Sequence, residues 1–125
     1  MNINISNSSG QPIYEQIVNQ IKSLIITSCL NEGDPLPSMR LLAKELRISV
    51  ITTKRAYENL ENDGFIVSIT GKGSYVASKN IEFIKEEHLR KIEEMLLTII
   101  ESANLCDIDL EGLIKILKTQ YENRE

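Results

Sequence analysis

Apolar positions along the chain lay out its elements in order. Ile13, Ile17, Ile21, Leu24 and Ile25 recur three and four residues apart, so they share one face of a helix, which Tyr14 and Val18 widen. Pro12 stands before them, where a missing N–H costs nothing. The preceding stretch, MNINISNSSG, is polar and reads as extended chain. The helix is expected to end near Ser28. The stretch NEGDPLPS then holds Gly33, Asp34, Pro35 and Pro37, which disfavour a helix and read as a turn. Ser38 is placed to cap a short second helix carrying Leu41, Leu42, Ala43 and Leu46. Arg47 and Ile48 make a brief connection. Ser49 caps a third helix whose inward side is Thr53, Ala56, Tyr57 and Leu60. Asp63-Gly64 stops it, since Gly64 can adopt the left-handed conformation that ends helices.

The period then changes from helical to alternating. Phe65, Val67 and Ile69 alternate with Ile66, Ser68 and Thr70, which predicts a strand. Gly71-Lys72-Gly73 is a turn, and Ser74, Tyr75 and Val76 begin a returning strand. From Ile81 the helical period resumes. Leu89, Ile92, Leu96, Ile99 and Ala103 are spaced 3, 4, 3 and 4, a heptad-like seam on a long helix with Glu, Lys and Arg on its other faces. A break at 104–109 precedes a last helix with Leu110, Leu113, Ile114, Leu117 and Tyr121 on one side. The expected fold is mostly α with a small β-hairpin. Two segments are expected, residues 1–78 with three helices and the hairpin, and residues 79–125 with two further helices.

Composition removes several function classes. The chain is 42% apolar and 26% charged, as ordinary globular proteins are. No apolar run approaches the ~18 residues of a membrane-spanning helix. The N-terminus lacks the basic flank and apolar core of a signal peptide, so a cytoplasmic location without membrane association is expected. Cys29 and Cys106 are far apart and His88 is the one histidine, so no metal site is expected. Both cysteines read as small packing residues, and His88 as part of a solvated helix face. The net charge of −4 is unevenly placed. Residues 1–79 hold eight Lys/Arg against seven Asp/Glu, whereas residues 80–125 hold six against eleven. The acidic excess lies in the second segment and leaves the first free to approach phosphate.

Two short helices joined by a tight turn, the second capped by serine, describe a helix-turn-helix. The major groove is ~12 Å wide and admits one helix, whose first residues reach base edges. Here those residues are Ser49, Val50, Ile51, Thr52, Lys54 and Arg55. A helix N-terminus also attracts phosphate. Lys72, between Gly71 and Gly73 at the hairpin tip, supplies charge where the backbone can come close to the sugar-phosphate edge.

The run GDPLPSMRLLAKELRISVITTKRAYENLENDGFIVSITGKGSYV closely resembles the GntR-family DNA-binding domain. The G-D-x-L-P-S-x-R turn, the following L-A, the Ser-capped helix with Thr and Lys, the L-x-x-D-G-F-I stretch and the Gly-rich wing stand in order over about residues 11–77. PIYEQIVNQI, AYENLE and the short C-terminal region resemble the YtrA-type branch in particular. The resemblance implies that Arg40 contacts DNA, that Ser49 and Thr52 meet phosphate, that Lys54 acts from the recognition helix, and that Gly71 and Lys72 form a wing touching the minor groove. Val50 stands where many relatives carry Arg, and Ile51 where they carry a polar residue. A bidentate guanine contact is thereby lost and apolar contact with thymine methyls becomes available. Leu41 replaces a common Glu, so Ser38 caps without a reciprocal partner.

The expected function is a sequence-specific repressor that binds an inverted-repeat double-stranded operator as a homodimer. YtrA-type relatives are often encoded beside transporter genes, so a neighbouring transporter operon is the expected target. Leu89, Ile92, Leu96, Ile99, Leu113 and Leu117 are the expected dimer contacts, because an exposed stripe that long needs a partner. Effector control is expected to act on dimer geometry or through a small-molecule effector in a crevice at the dimer interface. No cofactor is implied. The chain shows no Ser/His/Asp or Cys/His set and no Walker or Rossmann glycines, so it does not read as an enzyme. A winged helix serving a protein partner and a transcription activator are the rival readings.

Overall fold

Fourteen residues from Ile13 form the first helix because their apolar period matches the helical turn, and the computed structural model runs it as α1 (Ile13–Ile26). The described residues are 1–78 and 81–123. α2 (Met39–Leu46) and α3 (Val50–Asn62) follow, then β1 (Ile66–Ile69), β2 (Gly73–Val76), α4 (Ile81–Leu105) and α5 (Leu110–Glu122). The fold is therefore a winged helix-turn-helix followed by two helices. The chain divides into two compact units, Met1–Glu82 and Phe83–Glu125. The boundary expected at residue 79 falls outside the described residues.

In the first unit, α3 packs against both α1 and α2. Ile17, Ile21 and Ile25 from α1, Leu42 and Ala43 from α2, and Ala56, Tyr57 and Leu60 from α3 are buried together with Phe65, Ile66 and Val76. β1 and β2 pair antiparallel, with Ile66 opposite Val76 and Ile69 opposite Gly73. Val67 and Ile69 point away from this core and stay exposed. The Lys72 N–H donates to the Ile69 carbonyl at 2.9 Å and closes the turn. Gly71 takes a φ of 79° there, a conformation that side chains resist.

Two segments differ from the sequence reading. The stretch around Pro35 is more than a turn, for it runs beside β2 as a short antiparallel bridge between Pro35 and Tyr75. The N–H groups of Gly33 and Leu36 donate to Val76 and Ser74, and that of Val76 donates to Asp34, all at 2.9 Å. The prolines interrupt a helix but leave this extended pairing open, because the donors come from their neighbours. The N-terminal stretch is tied down by two glutamines one turn apart on α1. Gln20 exchanges hydrogen bonds with the backbone of Asn4 at 2.9 and 2.7 Å. Gln16 does the same with Ser6 at 2.8 Å in both directions, and it is buried. Ile3 is thereby buried as well.

The cysteines also depart from expectation, since both are exposed and free. Cys29 follows Ser28, whose φ of 64° turns the chain away from the end of α1. Cys106 lies just beyond the last turn of α4. His88 is exposed, as its charged neighbours suggest.

In the second unit, Asp107 at φ 58° breaks the helix, and the Asp109 carboxylate caps α5 by accepting from Gly112 N–H at 2.9 Å. Leu89, Ile92, Leu96, Ile99 and Leu117 are exposed, and Leu113 is half-buried. Met95, Leu97 and Ile100 are exposed too, so the middle of α4 is apolar on more than the one seam the spacing suggests. No helix among the described residues is long and apolar enough to cross a membrane.

Candidate nucleic-acid interface

The helix-turn-helix is fixed from its sequence by serine caps at both helix starts. Ser38 Oγ accepts from Leu41 N–H at 3.1 Å and Ser49 Oγ from Ile51 N–H at 3.1 Å. Both Ncap residues are extended, so the chain enters each helix with otherwise unpaired N–H groups at its first turn. Between the helices Arg47 adopts a left-handed conformation, φ 56° and ψ 48°, and Ile48 N–H returns to the Ala43 carbonyl at 3.0 Å. That geometry ends α2 and turns the chain into α3.

Two buried hydroxyls hold the pair of helices in register. Thr53 Oγ1 shares its one proton between the Met39 carbonyl at 3.0 Å and the Val50 carbonyl at 2.9 Å, which sets the first turn of α2 beside the first turn of α3. Tyr57 is buried, and its hydroxyl donates to the Pro37 carbonyl at 2.7 Å. Burial pushes the Tyr57 phenol well above its ordinary range, and the nearby Glu45 charge adds to the effect. Thr53, Ala56 and Tyr57 face inward, and Val50, Ile51, Lys54 and Arg55 face out.

The sequence-predicted DNA contacts fall as follows. Arg40, at the second position of α2, is exposed and forms no ion pair among the described residues. Ser49, Val50 and Lys54 are exposed and Thr52 is half-buried on the leading part of α3. Lys54 lies 4.0 Å from Glu58 one turn on, a solvated pair of small worth. Gly71 and Lys72 sit exposed at the wing tip, with open space where a Cβ on Gly71 or Gly73 would stand. Tyr75 Oη donates to the Lys72 carbonyl at 3.0 Å and steadies that tip. Arg55 is placed differently, with its guanidinium stacked 3.8 Å from the centre of the Tyr14 ring. It braces α3 against α1. Tyr14, at the start of α1, was the available signal for this contact.

No group of three or more His, Cys, Asp or Glu side chains among the described residues could hold a metal ion. In the second unit, α4 and α5 border an open groove of about 380 Å³ lined by Thr98, Ile99, Cys106, Ile108, Leu113 and Ile116 among others.

A capped helix presented outward, a second helix locked across it and a glycine-tipped hairpin beside them define a DNA-binding transcription regulator of the winged-helix class. More particularly, the chain belongs to the bacterial regulatory proteins of the gntR family, whose family model matches residues 13–76. It is 34% identical over 116 residues to the HTH-type transcriptional repressor YtrA of Bacillus subtilis, covering 93% of this chain and 89% of that protein. Among solved structures it is similar to YtrA of Sulfolobus acidocaldarius, a GntR-family transcription factor, with 38% identity and a TM-score of 0.64 over 77% of this chain and 97% of that one. A transcriptional antiterminator of Listeria monocytogenes gives a TM-score of 0.72 at 28% identity over 98% of this chain and 91% of that one. The family and these relatives are regulators and not enzymes.

Proposed function

We propose that the chain is a repressor that occupies an inverted-repeat operator as a homodimer. The observation that carries this reading is the row of exposed apolar residues on α4 and α5, on a chain whose DNA-binding unit already hides its own core. Leu89, Ile92, Leu96, Ile99, Leu113 and Leu117 are the residues assigned to a second copy. One winged unit covers little DNA, and two related by a two-fold axis read matching half-sites. Arg40, Ser49, Val50, Thr52, Lys54, Arg55, Gly71 and Lys72 are the assigned DNA contacts. Arg55 holds the helix that carries them and keeps its charge at the edge of the interface.

The target assigned is a neighbouring transporter operon, on the strength of the YtrA-type likeness. Control acts through dimer geometry. The groove between α4 and α5 is lined mainly by apolar side chains, so an effector entering there would be apolar and would compete with the partner copy.

The test has two parts. Light scattering on the eluting protein should give twice the 14.2 kDa chain mass. Anisotropy against its own upstream DNA should show binding that random DNA does not displace, and footprinting should show a protected inverted repeat. A dimer neutralising roughly six to ten phosphates loses ~10³–10⁵ in affinity between 50 and 200 mM salt. A folded dimer that protects no repeat in its upstream DNA overturns the reading.

A further inference from the structure

The leading turn of the recognition helix is apolar where it faces out. Ile51 is 79% exposed and Val50 44% exposed. Neither serves the core, which α3 reaches through Thr53, Ala56, Tyr57 and Leu60. β-branched residues lower helix propensity and gain nothing from standing in water. Both side chains lack any hydrogen-bonding group, so at positions 50 and 51 the helix cannot read a base edge by donor or acceptor. Their surroundings are those of a groove-facing surface: the Ser49 cap precedes them, Lys54 follows on the exposed side of the same helix, and the Thr53 lock holds Arg40 on the neighbouring first turn.

One base carries an apolar group on its major-groove edge, the C5-methyl of thymine. We infer that Ile51 and Val50 are specificity-determining residues that read thymine methyls, so that each half-site carries thymine at the one or two positions these side chains face. This rests on the operator reading above. The affinity comes from phosphate contacts made by the charged residues. The choice of base at one or two positions comes from methyl groups seated on these two side chains.

The experiment starts with full-length protein selecting sites from a randomised duplex library. Each thymine of the selected half-site is then replaced by deoxyuridine, which removes the methyl and leaves every donor and acceptor in place. One or two positions per half-site should lose about fourfold in affinity each, the equivalent of one buried methyl. The loss should vanish in Ile51→Ala or Val50→Ala, whose salt dependence stays that of the parent. Both residues are exposed, so these variants keep the fold. Val50→Arg should move the preference at its position toward guanine. If a site is selected but deoxyuridine is neutral at every thymine, this inference falls and the operator reading stands. If a folded dimer selects no sequence, the operator reading falls and takes this inference with it.

Discussion

Leu60 and Leu96 both belong to the apolar side of a helix, yet Leu60 is fully buried and Leu96 is 46% exposed. The contrast holds for the units that contain them. Residues 1–82 enclose a core drawn from three helices and the hairpin. In residues 83–125 only Ile84 and Ala103 are buried among the described side chains, and α5 buries none. Helical period alone therefore says that a face seeks cover, and not whether the cover lies in the same chain. What decides is the number of elements available: three helices can enclose a core, and two helices leave an outer face open.

The largest effect should come from breaking the open face. Leu96→Glu with Ile99→Glu puts two charges where the proposal puts a partner. The protein should become monomeric by sedimentation and lose about 10²–10⁴ in operator affinity, the advantage that joining two half-sites confers. Persistence of the dimer would place the interface elsewhere.

Truncations sharpen the same comparison. Leu60→Ala should destabilise the first unit by about 2–5 kcal/mol in chemical denaturation, independently of protein concentration. Leu96→Ala should instead alter a stability that rises with concentration, because a partner is linked to it by mass action. Equal behaviour of the two variants would mean that both leucines are covered within one chain.

Tyr57 offers a pH-dependent version confined to the first unit. Its folded phenol holds its proton more tightly than the unfolded one does, through burial and the Glu45 charge. Below about pH 10 both states are neutral and the full stability is present. Above it the unfolded state ionises first, so stability falls as pH rises toward the folded value. Tyr57→Phe should remove that alkaline slope. At neutral pH it should cost about 1–3 kcal/mol, because the Pro37 carbonyl loses its donor.

The helices, their serine caps and the hairpin were readable because each depends on residues within a turn or two of one another. Ser38, Ser49 and Gly64 mark their boundaries by local chemistry that needs no knowledge of the fold. The strap of Asn4 and Ser6 on Gln20 and Gln16 was not readable, since glutamine on a helix ordinarily means a wet surface. The pairing of residues 33–36 with β2 escaped for a related reason. Backbone hydrogen bonds between distant segments leave no side-chain period. At the candidate interface the residue types were legible and their orientations less so. Lys54 and Arg55 are adjacent in sequence, but the Arg55 guanidinium stacks on the Tyr14 ring and Lys54 lies beside Glu58.

That separation gives the smallest and most local prediction. Lys72 is exposed at the wing tip, and its side chain makes no ion pair among the described residues. Lys72→Ala should leave thermal stability unchanged and weaken operator and random DNA alike, lowering the salt slope by about one per wing that reaches phosphate. Arg55→Ala should do the reverse in proportion, with a loss of roughly 0.5–1 kcal/mol in stability from the Tyr14 contact and a smaller change in salt slope. Anisotropy at several salt concentrations, run beside thermal melts, reads both quantities on each variant. If Arg55→Ala lowers the salt slope as much as Lys72→Ala and leaves the melt alone, its guanidinium leaves Tyr14 for phosphate when DNA binds, and α1 and α3 are then held by their buried apolar side chains and by the Lys22–Asp63 ion pair at the end of α3.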